Sequence, residues 1–95
     1  MTSQPLTTLS IYEVANLEAS FAAAIENNHP LDLNLSELDE IDAAGIQWLL
    51  TLKQRKEQQG SALRLSPVPD SIAELFELLG VSSLLSTATQ DSRDA

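Results

Sequence analysis

Cysteine is absent from this chain of 95 residues, so it has no disulfide, no thiol nucleophile and no thiolate metal ligand. That absence is compatible with a cytoplasmic location, which we expect. No apolar run approaches the roughly 20 residues that a membrane-spanning helix needs, so direct membrane insertion is not expected. The start, MTSQPLTT, lacks a basic stretch followed by a long apolar one, and no signal peptide is predicted.

Basic side chains are scarce, with five Lys and Arg against 14 Asp and Glu and a formal net charge of −9. The first basic residue along the chain is Lys53. Such an acidic surface repels nucleic acid, so no nucleic-acid partner is expected, and it steers the chain toward basic protein surfaces. The same charge would also serve solubility alone, and both interpretations stay open at this point.

Apolar periodicity predicts a single α/β domain over residues 1–95, with flexible ends at 1–5 and 86–95. Strand-like alternation is clear in LDLNL and ALRLS, and a short strand is expected before the first helix. The predicted strands are Leu6–Leu9, Leu31–Leu35 and Ala62–Ser66. This order contains two strand–helix–strand units, which imply parallel pairing and right-handed crossovers.

Helical spacing of apolar residues predicts three helices. Ser10 and Glu13 have the spacing of a capping box at the start of the first helix, which should run about four turns and end before Pro30. The second helix is predicted from about Ala43 to Gln59 and the third from Asp70 to Leu79. Gly60 and Gly80 follow these two helices and should stop them in a left-handed conformation.

The strand Leu31–Leu35 runs through an acidic turn directly into the second predicted helix. This corner should be exposed, and the first N–H groups of the helix have no partner within it. We therefore predict that the corner binds a partner protein. The predicted contact residues are Glu37, Leu38, Asp39, Glu40, Ile41, Asp42, Ala43, Ala44, Gly45, Gln47, Trp48 and Thr51. Trp48 is either a residue at the edge of the core or an anchor for the partner, since tryptophan is common at binding hot spots.

Catalytic patterns are absent: the sequence contains no G-x-S-x-G, P-loop, G-x-G-x-x-G or H-E-x-x-H motif. The carboxylates of Asp39, Glu40 and Asp42 are the candidates for a metal-dependent enzyme. Acidic residues at a helix start, however, more often cap the helix and complement its dipole. The same carboxylates disfavour a nucleotide there. We therefore predict no enzymatic activity, no catalytic or metal site and no cofactor.

Around this corner the chain resembles a known family. The segment LDLNLSELDEIDAAGIQWLLTLKQRKEQQGSALRLSPVPDSIAELFELLGV is similar to the STAS domain of anti-anti-sigma factors and related bacterial regulators. The resemblance covers about residues 9 to 85 and depends on Asp42-x-x-Gly45 after a strand, on the glycine at position 60, and on ELLGV ending at Val81. It implies a mixed or mostly parallel sheet of about four strands with helices packed on one face, and a cytoplasmic role in signal transduction.

The resemblance also implies a phosphoacceptor position, at which this chain departs from the family. In the family a Ser or Thr follows the aspartate, and a partner kinase phosphorylates it to release the bound partner. The matching position here is Ala43, whose side chain has no hydroxyl, so this position is non-phosphorylatable. Ser10 and Ser36 carry hydroxyls, but they lie at positions that do not match.

The family implies a non-enzymatic, anti-anti-sigma-like regulator with one of three kinds of protein partner. These are an anti-sigma or kinase-like protein, a protein of a chemotaxis-type signalling complex, and the ATPase of a lipid transporter. The missing hydroxyl at Ala43 argues against the first kind. Because the family usually has two strands before the first helix and this chain has room for one, an open sheet edge also predicts homodimerisation.

Overall fold

The computed structural model of the chain describes residues 6–84, which form a small mixed α/β domain. Within that range there are four helices and four short strands. In chain order they are β1 (Thr8–Leu9), α1 (Ile11–Ser20), α2 (Ala22–Glu26), β2 (Leu31–Leu33), β3 (Glu40–Ile41), α3 (Ala43–Gln58), β4 (Leu63–Leu65) and α4 (Asp70–Leu78). The segments 1–5 and 86–95, which the sequence predicts to be flexible, lie outside the described residues.

Helices α3 and α4 have nearly the bounds that the sequence predicts. Gly60 follows α3 with a φ of 75°, and Gly80 follows α4 with a φ of 77°. Both values lie in the left-handed region that glycine adopts without steric cost, so each glycine ends its helix as predicted.

The first predicted helix is not continuous, because it breaks into α1 and α2 at Phe21. The backbone of Phe21 has a φ of −102° and a ψ of 12°, away from helical values. The break directs α2 into the core, where Ile25 is 1 % exposed. At the start of α1, the Ser10 hydroxyl accepts the N–H of Tyr12 at 3.3 Å, and not the N–H three residues on that a capping box would use.

The strands form two parallel pairs, β1 with β3 and β2 with β4, where the sequence resemblance implies one sheet of about four strands. The Leu6 N–H donates to the Asn34 carbonyl oxygen at 3.0 Å, which links the segment before β1 to the end of β2. Because β1 and β3 contain two residues each, this contact does not extend into a continuous ladder.

β3 replaces part of the acidic connection predicted between the second strand and second helix. Glu40 lies opposite Thr8 and Ile41 lies opposite Leu9 in the parallel pair. The prediction of a turn is therefore wrong for these two residues. Their partners are about thirty residues earlier in the chain, so no local pattern in the segment indicates the pairing.

The β2–β4 pair is apolar on one face and polar on the other. Leu33 lies opposite Leu65, and both are at most 1 % exposed. Asp32 lies opposite Arg64 on the other face, where the Arg64 Nε donates to the Asp32 Oδ1 at 2.7 Å. This hydrogen bond and the attraction of the two charges raise the pKa of Arg64. The period-two alternation of the sequence therefore gives these strands one core-facing side.

Lys56 is fully buried in the domain, although the sequence places it among the cations that follow the apolar stripe of α3. Its Nζ donates to the backbone carbonyl oxygens of Ala24, Asn27 and His29, each at 2.8 Å. Burial lowers the pKa of Lys56, and repulsion from Arg55 lowers it further. Lys56 thus accounts for carbonyl groups at and after the end of α2 that the helix itself leaves unpaired.

Candidate partner-binding surface

The start of α3 is built around Asp42, which caps the helix. Its Oδ1 accepts the N–H of Gly45 at 3.0 Å, and its Oδ2 accepts the N–H of Ile11 at 3.1 Å. These two hydrogen bonds, the Gly45 bond first, hold the pKa of Asp42 below its usual value. The ionised carboxylate therefore joins the starts of α1 and α3.

Gly45 lies in the first turn of α3, directly against β1. A Cβ atom at this position would lie 2.1 Å from the carbonyl oxygen of Leu9 and 2.8 Å from its Cβ. A side chain would therefore push the helix away from the strand. The Asp42-x-x-Gly45 pattern sets the geometry of the corner through a cap and a close approach, and it leaves Ala43 exposed to solvent.

Seven of the twelve predicted contact residues are exposed. We call these residues the corner surface: Glu37, Asp39, Glu40, Asp42, Ala43, Gln47 and Thr51. Ala43, Gln47 and Thr51 recur every four residues along α3, a spacing that places them on one face of the helix. Ile41 and Ala44 are half-buried. Ala43, which the sequence resemblance predicts to be the phosphoacceptor position, thus faces solvent with its methyl group.

Three predicted contact residues, Leu38, Gly45 and Trp48, are buried and are removed from the contact surface. Trp48 is 5 % exposed, and its Nε1 donates to the Glu18 carboxylate at 2.7 Å. The Arg55 guanidinium donates to the same carboxylate at 3.2 Å. Because this cluster fixes α3 against α1, Trp48 acts as a core residue with its polar edge satisfied, which is the first of its two interpretations.

Two exposed apolar residues beside the corner surface were missed by the prediction. Ile11 is 63 % exposed and Tyr12 is 85 % exposed, at the start of α1. The backbone N–H of Ile11 contacts Asp42, so this pair borders the corner directly. Tyr12 lies off the apolar stripe that continues through Val14 and Leu17, and that displacement is the sequence signal for its exposure.

A second apolar feature adjoins the corner surface, where the first half of α3 faces the end of α4. A cleft of about 410 Å³ lies there, which we call the α3–α4 cleft. Its lining residues are Ile41, Asp42, Ala43, Ile46, Gln47, Leu50, Leu75, Leu79 and Val81. Beside it, Leu78 is 81 % exposed and Leu79 is 52 % exposed. Asp42, Ala43 and Gln47 belong to both the cleft and the corner surface, so the two features are continuous.

Among residues 6–84, no group of three or more His, Asp or Glu side chains has an arrangement that would hold a metal ion. In the same part of the chain, no helix has the length and apolar character needed to cross a membrane. The acidic residues at the start of α3 instead have different tasks, since Asp42 caps the helix and Glu40 belongs to β3. Nothing in the arrangement of these described residues favours the alternative interpretation of the acidic cluster, a metal-dependent enzyme.

The comparison of the sequence with protein families found a match. A family model described as "Mlab, STAS domain" matches residues 7–86. The match runs from just before β1 to beyond α4 and includes the corner surface and the cleft. Neither the search of curated proteins nor that of solved structures found a match.

Proposed function

Because this chain belongs to the STAS domain family whose model is described as "Mlab, STAS domain", we propose that it is a regulatory protein that binds a partner protein through the corner surface. The observation that supports the proposal is that the residues at the start of α3 have two different roles. Asp42 and Gly45 are used by the fold, while Ala43, Gln47 and Thr51 are presented to solvent on one helical face. Exposed side chains on a rigidly held helix that make no contacts needed by the fold are suited to docking.

The proposed binding is not switched by phosphorylation at position 43. Ala43 is exposed, so a hydroxyl there would be accessible to a kinase, but alanine has none. Ser10 lies at a position that does not match the family pattern, and it caps α1, where its hydroxyl accepts the N–H of Tyr12. Without this switch the protein is permanently competent to bind, and its control lies in its abundance or in a competing partner.

Among the partner classes that the family suggests, this chemistry disfavours a kinase that works by phosphorylating its binding partner. A chemotaxis-type signalling protein and the ATPase of a lipid transporter are the remaining classes. The corner surface carries the carboxylates of Glu37, Asp39, Glu40 and Asp42. We therefore expect the partner to present a basic surface in either class.

The test is recovery of a partner by the tagged full-length chain, compared between Ala43→Glu and wild type. Glutamate is well tolerated at the first position of a helix, so the fold should hold while added charge and bulk block docking. Gln58→Glu is the matched control, because it makes the same charge change about 22 Å away along α3. Recovery should fall at least about tenfold for Ala43→Glu, equivalent to about 1.4 kcal/mol, and stay unchanged for Gln58→Glu.

A second variant, Tyr12→Ala, tests the surface without touching α3. Tyr12 is 85 % exposed, so its removal should not unfold the domain, while tyrosine side chains often dominate binding energy. We expect a loss of recovery of the same order as for Ala43→Glu. Equal recovery by wild type and both variants, with all proteins folded by circular dichroism, would count against the corner surface as the docking site.

A further inference from the structure

The α3–α4 cleft is an apolar site that nothing in the described residues fills. Leu75 and Leu79 lie one turn apart on α4, and Ile46 and Leu50 lie one turn apart on α3. These two pairs form opposite walls. Leu78, at 81 % exposure, extends the apolar strip beyond the lining. A strip of aliphatic side chains between two helices is the kind of surface that a partner covers on binding.

The rim of the cleft is acidic. Asp42 is the charged residue among those that line the cleft. On α4, Glu74 is exposed and lies four residues before Leu78, on the same side of the helix. One carboxylate therefore lies in the lining at the start of α3, and a second lies beside the strip at Leu78.

No basic side chain in the described part of the chain is available to offset this rim. Lys53, the nearest to the cleft along α3, is paired with Glu57 at 2.6 Å. Arg55 is held by Glu18 and Arg64 by Asp32. The local field therefore selects a positively charged occupant.

Resting on the proposed function, we infer that the α3–α4 cleft receives an amphipathic basic helix of the partner protein. Its aliphatic side chains would enter between Leu50 and Leu79, and its Lys or Arg side chains would face Asp42 and Glu74. A helix fits better than a small apolar molecule, because a molecule confined to the cleft would leave Leu78 in water. Helix-in-groove recognition uses anchors spaced as on one helical face, and the two facing walls offer that spacing.

The direct test uses two synthetic peptides of about 18 residues, which is about five helical turns. Both carry leucines at i, i+3, i+4 and i+7; one carries lysines on the flanks and its twin carries glutamates. Titration into the full-length protein is followed by backbone amide NMR. We expect the basic peptide to bind at least about tenfold more tightly than its twin, and to shift the amides of Ile46, Leu50, Leu75 and Leu79.

Two substitutions sharpen the charge argument. Glu74→Lys should weaken binding of the basic peptide about three- to tenfold and strengthen binding of the acidic twin. Glu26→Lys makes the same change in net charge at an exposed residue of α2, away from the cleft. It should leave the affinities for both peptides unchanged, apart from a small effect of the overall charge. Equal effects of the two variants would overturn the inference, since only overall charge would then matter.

Other occupants give distinguishable results that also overturn the inference. If residues 85–95 of the chain fill the cleft, the peptides will not bind, and Leu79→Asp will shift the amides of that segment. If a second copy of the chain fills the cleft, the wild-type protein will sediment as a dimer and Leu79→Asp will sediment as a monomer. If Tyr12→Ala abolishes partner recovery and Leu79→Asp leaves it intact, the cleft assignment fails while the corner surface stands. The reverse pattern would reject the corner surface and keep the cleft.

Discussion

The carboxylate of Asp42 accepts a backbone N–H from each of two helices, Ile11 in α1 and Gly45 in α3. Both hydrogen bonds are stronger to the ionised form, which is why the pKa of Asp42 is lowered in the folded state. The unfolded chain lacks these bonds, so its carboxyl titrates near 3.8. The resulting stabilisation is therefore fully present above that pH and is lost as the pH falls through the folded-state value.

This linkage predicts a pH-dependent effect of Asp42→Asn. At pH 7 the variant should melt at a lower temperature than wild type, because an amide replaces an ionised acceptor. The gap should narrow as the pH falls below 3.8, since the wild-type carboxyl then becomes protonated too. Thermal melts followed by circular dichroism between about pH 3 and 7 would measure it. Glu40→Gln removes a neighbouring exposed carboxylate as the control; a gap for Asp42→Asn that is constant with pH would contradict the assignment.

Gly45→Ala offers a test in which two effects have opposite signs. Helix propensity alone predicts that alanine stabilises this position by about 1 kcal/mol. The new Cβ, however, would lie 2.1 Å from the Leu9 carbonyl oxygen, a backbone atom that cannot move without shifting β1. Overpacking of this kind costs about 1–3 kcal/mol, so the contact should win and the variant should be destabilised.

Urea denaturation would measure the change in the free energy of unfolding of Gly45→Ala. Ala44→Gly is the neighbouring control, and it should lose about 1 kcal/mol through propensity alone. A variant Gly45→Ala that is as stable as wild type, or more so, would show that the helix can move away from β1 at little cost.

At the scale of elements, two side chains at the end of α3, Lys56 and Gln59, connect it to α2. The Lys56 ammonium donates to three backbone carbonyl oxygens around the end of α2, and the Gln59 amide donates to a fourth, that of Ile25, at 2.8 Å. Removing the donor leaves carbonyl groups buried without a partner, which costs more than the hydrogen bonds themselves contribute.

Lys56→Met keeps the aliphatic stem of the side chain and deletes the ammonium group. We expect it to lower the free energy of unfolding by about 1–3 kcal/mol, measured by urea denaturation. Lys53→Met on the same helix removes a cation that is paired with Glu57, and it should cost less than about 1 kcal/mol because such partly exposed pairs contribute little. Equal losses for the two variants would show that Lys56 is not a specific fastener.

The elements that the sequence predicts well are those with long periodic patterns and a clear stop. α3 has both, since its apolar stripe continues for four turns and Gly60 follows it. The misses have non-local causes. β3 forms because β1 lies beside it, and Phe21 interrupts the first helix where α2 turns toward the core.

The candidate site likewise has features that the local sequence predicts and features that depend on distant contacts. The exposure of Ala43 and Gln47 follows from helical spacing and was predicted. The burial of Trp48 depends on Glu18, thirty residues away, and so could not be derived from the pattern around the tryptophan. The cleft needs α4 packed beside α3, a juxtaposition on which periodicity carries no information.

At the scale of the whole molecule, negative charge predominates. The net charge of the chain is −9, and the basic side chains within residues 6–84 all donate to acceptors of the same domain. Association with a basic partner should therefore weaken as salt screens the attraction, whereas two copies of this chain repel each other and should associate more readily in salt.

Homodimerisation through a sheet edge stays a prediction, and salt gives it a clear test. The edge strands β3 and β4 are two and three residues long, which limits the pairing they offer. Sedimentation velocity of the full-length chain at about 0.05 and 0.5 M NaCl should show any dimer fraction rising with salt, because the Debye length falls several-fold over that range. A concentration-independent monomer at both salt levels would remove the dimer.

The close approach of Gly45 to Leu9 has a consequence for how chains of this type are told apart. The pair of residues by which such a domain is recognised in a sequence is occupied with building the domain. A residue pair with that role sets the shape of the corner and does not select what binds to it. The specificity for a partner must therefore depend on other side chains, which the architecture leaves free to vary.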